Sequence, residues 1–550
     1  MQPIDRGWPH DEAEASFSRR QFIRKAAALG IALPAMPLLI EACGSSKKGT
    51  GTTSTTAAQR ATNQELVIGD TTDNYVTSGV KSFLGMYPLN ANIYEPLVRL
   101  QPDYSIVPGL ATSWEQSGAN TFRFHLRPGV TFHDGSPFGA ADVKYTFDRI
   151  ASAGGGSVGL GSTSTVVVDN MTVEVTPKKA NLRVVEQLVH PEFSILKQGT
   201  NPGPPGPGTG PFKWVDYVAQ SRVTVTRNDS YWGDKAQASK LTFMFIPDDN
   251  SRSLALSSGQ LDIARDLARP AVASLQKQPG VKVLKAPLGL YSAMYFNIHG
   301  KAPYTLGADP AIRSAVQNGL DRAGLIKSVF GGLGELSQTL LPPSIFGPAA
   351  SMIQGNPYDP AKAKATLDSA GWTASGGGIR SKNGTPLSLV LVDGFPDATA
   401  NAGIPDFVQA NLRDIGIDIK VTTEPDGPSY STALGMGAGD LFLEMGNQND
   451  ANPAFLPQIL FYARGGGTYG ALTGPGPAFD DLIDMAQAAT SEDAVKQAVA
   501  SAMHQVVDVA QVLVQTAGLY RILGTRSNIA GLVPHASDVN QRWDSVYRTT

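Results

Sequence analysis

The sequence predicts an α/β protein folded as more than one lobe, and three observations carry that reading. The chain has 550 residues with 42% hydrophobic and 17% charged side chains. That is enough apolar material for a large core, and more chain than a single core usually holds. From Pro310 the pattern changes to helices followed by strands, which suggests a second α/β lobe. The run NPGPPGPGTG at 201–210 cannot be regular structure, so it marks a boundary. Lys and Arg number 45 against 48 Asp and Glu, a net charge of −3. No basic excess exists to neutralise phosphates, which excludes nucleic acid as an expected partner.

Taken in order, residues 1–42 read as an address. Arg19-Arg20 lies in SRRQFIRK, ahead of an apolar run at 26–40 that is too short for a permanent membrane span. The run ends at Ala42-Cys43-Gly44, and Cys43 is the single cysteine of the chain. Its place at the end of the apolar run predicts cleavage before Cys43 and acylation of its thiol, although Glu41 departs from the small or apolar residue usual there. A Gly/Ser/Thr-rich tether follows at 43–63, reaching about 25 Å on random-coil scaling. The expected location is the outer face of the cytoplasmic membrane.

The body opens with a strand at 65–70. The polar, aromatic loop after it carries Asn74, Tyr75 and Tyr87, and strand-end loops often hold ligand contacts. At 121–127 the run TFRFHLR puts Phe122, Phe124 and Leu126 on one strand face. Asp134-Gly135 is a tight turn, and Val143, Phe147 and Ile150 lie at helical spacing. Gly155-Gly156-Ser157-Val158-Gly159 matches G-x-S-x-G without the strand before and helix after that a nucleophile elbow needs. A hairpin is predicted around Asp169-Asn170, strands at 213–227, 241–246 and 290–298, and a helix at 250–262. Later helices are predicted at 310–326, 359–371, 404–415 and 479–489, strands at 387–392 and 416–421, and a long helical stretch from Glu492 to Leu519.

The segment from Ile93 to Ile150, followed by Gly208-Thr209-Gly210-Pro211-Phe212, Asn228-Asp229-Ser230-Tyr231-Trp232 and Leu256-Ser257-Ser258-Gly259-Gln260-Leu261-Asp262, resembles the family-five extracellular solute-binding proteins of ABC importers, which take up peptides and nickel. The resemblance implies a type II periplasmic-binding-protein fold: two lobes that close on a solute, with an extra small subdomain. It implies lobe I from 64–94, 209–300 and 521–550, the small subdomain from 95–208 and lobe III from 301–520. It further implies a monomer that delivers a peptide or peptide-like solute to a membrane permease, without enzymatic activity or a cofactor.

In the peptide-binding branch of that family an aspartate near 441–460 pairs with the ligand's α-ammonium. At that place this chain has Met445, Asn447, Gln448, Asn449 and Asp450, so a neutral polar ligand or an oligosaccharide or metal chelate stays open beside a peptide. Tyr291, Asn297 and Tyr469 complete the expected ligand-binding set, and Arg464 could receive a carboxylate. The seven histidines are scattered, no H-x-x-x-H or P-loop is present, and a secreted hydrolase would need a nucleophile–base pair that the sequence does not display.

Overall fold

The computed structural model describes residues 59–71, 89–152, 163–177, 183–201, 206–341, 343–374, 378–394, 403–464, 468–489 and 491–550. Cys43, the signal, the G-x-S-x-G stretch and Asn74, Tyr75 and Tyr87 lie outside these residues.

Two mixed sheets organise the molecule. The first has seven strands in the order Val281–Lys285, Ile522–Arg526, Ile263–Ala264, Glu65–Asp70, Lys240–Phe245, Arg222–Arg227, Phe212–Val218. The second has six, in the order Gly334–Glu335, Leu513–Leu519, Leu290–Phe296, Leu441–Asn447, Ser388–Asp393, Asp418–Thr423. The expected strands thus form the sheets of two lobes. The boundary differs from the expectation, because Leu290–Phe296 pairs within the second sheet. The break therefore falls at residues 286–289 rather than at 300.

The stretch from Glu492 to Leu519 is the other correction. Its helix ends at His504, a π-helical turn spans Gln505–Val509, and Leu513–Leu519 is a strand of the second sheet. Gln511 takes the left-handed conformation, φ 53°, which ends helical propagation. All seven residues of the strand are buried. A strand covered on both faces shows no alternation and reads like a core helix.

The small subdomain carries a four-stranded antiparallel sheet, in the order Ala111–Gly118, Thr121–Leu126, Thr172–Pro177, Thr163–Asp169. Phe122, Phe124 and Leu126 are buried on one face as the alternation requires, and the helix Ala140–Ser152 buries Val143, Phe147 and Ile150. Gly135 has φ +85° and its N–H donates to the Phe132 carbonyl at 2.8 Å, closing the predicted turn.

Three of the four quoted stretches meet at one side chain. Glu95 is fully buried and accepts hydrogen bonds from the Tyr231 hydroxyl (2.6 Å), the Trp232 indole N–H (2.7 Å) and the Thr209 hydroxyl (3.1 Å). The Arg542 guanidinium stands 4.0 Å away. The motif residues therefore weld the small subdomain to lobe I. Two apolar clusters fill lobe I, whereas a single continuous cluster joins the small subdomain to lobe III.

Candidate functional site

The lobes are connected by two strands that cross side by side. Lys285 pairs with Ile522 in the first sheet and Leu290 with Leu519 in the second. Between them the Ala286 N–H donates to the Arg521 carbonyl at 2.9 Å. Around this crossing Arg521 bonds both oxygens of Asp266 at 2.6 Å, and Arg265 is held between Asp70 and Asp538. Arg269 donates to the carbonyls of Leu333 (2.9 Å) and Tyr520 (3.0 Å), and burial lowers its guanidinium to about 10.

Beyond the crossing, Leu290–Phe296 runs antiparallel to Leu441–Asn447. Tyr291 pairs with Gly446, Ala293 with Glu444 and Tyr295 with Phe442. Paired residues project to the same face, so Tyr291 and Tyr295 flank Glu444. The helix Gly427–Met436 contributes Tyr430 and the helix Thr468–Thr473 contributes Tyr469. Two glycines make room for these rings. A Cβ on Gly446 would lie 2.4 Å from the Tyr291 hydroxyl oxygen, and one on Gly394 would lie 2.1 Å from the Tyr430 ring. The rings of Tyr295 and Tyr469 meet edge to face, with centroids 6.4 Å apart.

Glu444 is thus a carboxyl group in a tyrosine cage. Burial pushes it up to about 7, against a hydrogen bond from Tyr469 that acts to lower it. Its Oε2 atom is buried without a hydrogen-bond partner. Among the described residues no Lys, Arg or His forms an ion pair with it. The four tyrosines are raised as well, by burial first and then by neighbouring charge, Glu444 included. A buried acid lacking a countercharge is costly unless it stays protonated or receives a cation. Such perturbed groups cluster at functional sites.

Of the residues expected from the sequence, the structure brings Tyr291 and Tyr469 to this cage. Met445 and Asn447 alternate to the opposite face of the strand from Glu444, and Met445 packs against the main apolar cluster. Gln448 and Asp450 are fully buried and bond within their own loop, although Gln448 Oε1 and Asp450 Oδ2 keep no hydrogen-bond partner. The Gln448 amide donates to Asp450 Oδ1 (2.7 Å) and to the Asn452 carbonyl (2.9 Å), and Asp450 Oδ1 accepts the Asn452 N–H (3.0 Å). Asn449 binds the C-terminal segment, its Oδ1 accepting from the Ser537 hydroxyl (3.3 Å) and its carbonyl from the Asn540 amide (3.2 Å). The loop expected to read the ligand is therefore a clasp between lobe III and the C-terminal segment. Asn297 is also buried, donating to the Gly439 carbonyl at 3.0 Å. Arg464 is paired with Asp481 and Asp484, each at 2.5 Å.

Glu444, Tyr295 and Tyr430 were absent from the sequence-based set. The available signal was Glu444 itself, a lone acid in the apolar run LFLEM, where an unpaired carboxylate is rarely buried.

Residues 105–468 match the family model described as "Bacterial extracellular solute-binding proteins, family 5 Middle". The nickel-binding periplasmic protein of Escherichia coli K12 is 30% identical over 367 residues, covering 62% of this chain and 67% of that protein. The glutathione-binding protein GsiB of Pectobacterium atrosepticum is 28% identical over 380 residues, covering 65% and 70%. Among solved structures, NikA from Brucella suis in complex with Fe(III)-EDTA superposes with a TM-score of 0.77 at 24% identity, covering 88% of this chain and all of that one. The Helicobacter pylori periplasmic binding protein DppA in complex with the peptide STSA gives 0.71 at 24% identity, covering 90% and 99%. These relatives are binding proteins rather than enzymes, and their fold is the two-lobed one described above. The chain belongs to the bacterial extracellular solute-binding proteins of family 5, the solute-capturing components of ABC transporters.

Proposed function

We propose that this chain captures a peptide or peptide-like solute between its two lobes and, once closed, presents it to a membrane permease. The observation that carries this reading is the paired crossing at 286–289 and 520–521. It joins two separately cored sheets through two adjacent backbone segments, and such a joint permits hinge closure. An extended peptide suits an interlobe cleft because its backbone groups can be satisfied whatever its side chains.

Calorimetry on the purified chain with tetra-alanine, glutathione and a nickel–histidine complex tests the solute class, and small-angle scattering tests closure. Saturable peptide binding with a smaller radius of gyration is the expected result. Binding of the nickel complex alone would replace the peptide reading with that of a chelate, and hydrolysis of any bound compound would overturn the binding role.

Export through the Arg19-Arg20 signal and anchoring through acylated Cys43 belong to the same proposal. Mass spectrometry of the membrane fraction should find a diacylglyceryl group on Cys43. Unmodified, freely released protein would refute the anchor.

A further inference from the structure

We propose that closing the lobes takes up a proton at Asp450, so that solute capture is linked to pH. The inference rests on the capture reading and adds a condition to it.

The loop 448–452 of lobe III is held from two directions by parts that move with lobe I. The Tyr104 hydroxyl of the small subdomain donates to the Gln448 carbonyl at 3.3 Å. On the other side the Ser537 hydroxyl and the Asn540 amide of the C-terminal segment bond Asn449. Glu95 welds the small subdomain to lobe I, and Asp538, between Ser537 and Asn540, is ion-paired to Arg265. Rotation about the crossing at 286–289 therefore parts the loop from both neighbours as the lobes open and buries it as they close.

Asp450 is the acid of this loop. Its Oδ1 accepts from Gln448 and Asn452, while Oδ2 is buried without a hydrogen-bond partner. Gln448 Oε1 and Glu186 Oε2 are in the same condition. A proton on Oδ2 turns one of these three acceptors into a donor. From the small subdomain Asp450 is faced by Glu186, paired with Arg183 at 2.5 Å, and by Glu192, beside the fully buried His190. Burial pushes the Asp450 carboxyl well above its ordinary value, and Glu186 and Glu192 add to this against the Asn452 N–H.

The remaining groups around the loop do not mimic this uptake. Burial lowers His190 and His535, which are therefore largely neutral at pH 7 and above, and burial raises the Tyr104 hydroxyl. Burial alone would raise Asp538, but Arg265 and Arg521 hold it below its ordinary value. Glu444 titrates at about 7, but its tyrosines all belong to lobe III, so opening leaves them in place. An open cleft returns Asp450 to water and to the ordinary range near 3.8. The closed form then holds a proton that the open form lacks. Closure carries no pH cost below about 4, and is opposed by up to about tenfold per unit as the pH rises toward the closed-state value.

The test uses the full chain with tetra-alanine. Calorimetry at pH 7 in phosphate and in imidazole, whose ionisation heats differ, counts the protons taken up on binding. Wild type should take up about one proton more per tetra-alanine than Asp450→Asn. From pH 7 to 8 its affinity should fall roughly tenfold relative to that variant. The titration of the peptide's own amine is common to both proteins and cancels. In small-angle scattering without solute, the radius of gyration of wild type should grow between pH 7 and 8, and that of Asp450→Asn should not. Glu192→Gln removes one facing charge and should move the fall in affinity to higher pH. It serves as the second variant should Asp450→Asn not fold, and an unmoved profile in it would count against the proton link.

Tetra-alanine binding with equal proton uptake and parallel pH profiles in wild type and Asp450→Asn would overturn the proton link and leave the capture reading standing. Absence of binding, with pH-dependent expansion of wild type alone, would do the reverse. Neither binding nor expansion would overturn both.

Discussion

Two buried glutamates divide the labour of this molecule. Glu95 accepts three hydrogen bonds, from Thr209, Tyr231 and Trp232, and has Arg542 beside it. Among the described residues Glu444 has a donor in Tyr469, no ion pair with a cation, and an unpartnered Oε2. The first joins the sequence motifs that mark the family, and the second stands in a stretch without any motif. A carboxylate whose valences are filled from within is scaffold. One left with an unpartnered oxygen is costly to ionise where it stands. The density of recognisable sequence around Glu95 therefore reports the fold, whereas no motif announces the surroundings of Glu444.

The largest effect that would break the comparison lies at Glu95. Glu95→Ala leaves the Thr209, Tyr231 and Trp232 donors without their acceptor and removes the charge beside Arg542, and should cost about 3–5 kcal/mol in denaturant unfolding. A cost under about 1 kcal/mol would show that the motif junction does not hold the lobes together.

Glu444→Gln should act in the opposite direction. The folded-state value of Glu444 lies above its ordinary value of 4.5, at about 7. Its contribution to stability is therefore fully present below about pH 4.5 and is lost as the pH rises through about 7. The glutamine variant does not ionise, so it should match wild type at pH 4 and exceed it by about 2–3 kcal/mol at pH 8 in the absence of solute. The groups facing Glu444 are Tyr291, Tyr295, Tyr430 and Tyr469, none of which titrates in that window because burial raises all four. Unfolding curves at the two pH values decide the matter, and a variant no more stable than wild type at pH 8 would mean that Glu444 is well solvated.

A smaller effect separates clasp from site. Gln448→Ala should lose about 1–2 kcal/mol of stability, because it unmakes buried hydrogen bonds to Asp450 and Asn452. Its solute affinity should stay within about twofold of wild type. A selective loss of affinity would return the amide loop to the ligand. The smallest effect is at Tyr469→Phe, which removes the one donor that lowers Glu444. The pH midpoint of the stability difference from the Glu444→Gln background should then move upward, with a cost of about 1 kcal/mol at pH 8. An unmoved midpoint would mean that Tyr469 does not reach the carboxyl.

Much of the fold was legible in the sequence. Half-buried strands such as Thr121–Leu126 alternate visibly, and turns such as Asp134-Gly135 carry their own chemistry. The strand Leu513–Leu519 was not legible, because burial on both faces removes the alternation that separates strand from helix. The site was legible only in fragments. Tyr291 and Tyr469 stood out as aromatic residues in plausible places, but nothing local ties them to Glu444, which is 153 and 25 positions distant in the chain. The amide run at 447–450 was expected to bind the ligand, and in the structure Gln448 and Asp450 bond within their own loop while Asn449 bonds the C-terminal segment.

The sequence by itself determined the family and the α/β lobes, because these rest on local periodicity and on motifs, while the meeting of those motifs at Glu95 came from the structure. Tertiary structure alone decided where the hinge falls and which groups surround Glu444. Pairing is a property of neighbours in space, and the register of Leu290–Phe296 against Leu441–Asn447 is what sets Glu444 among tyrosines and apart from every described cation.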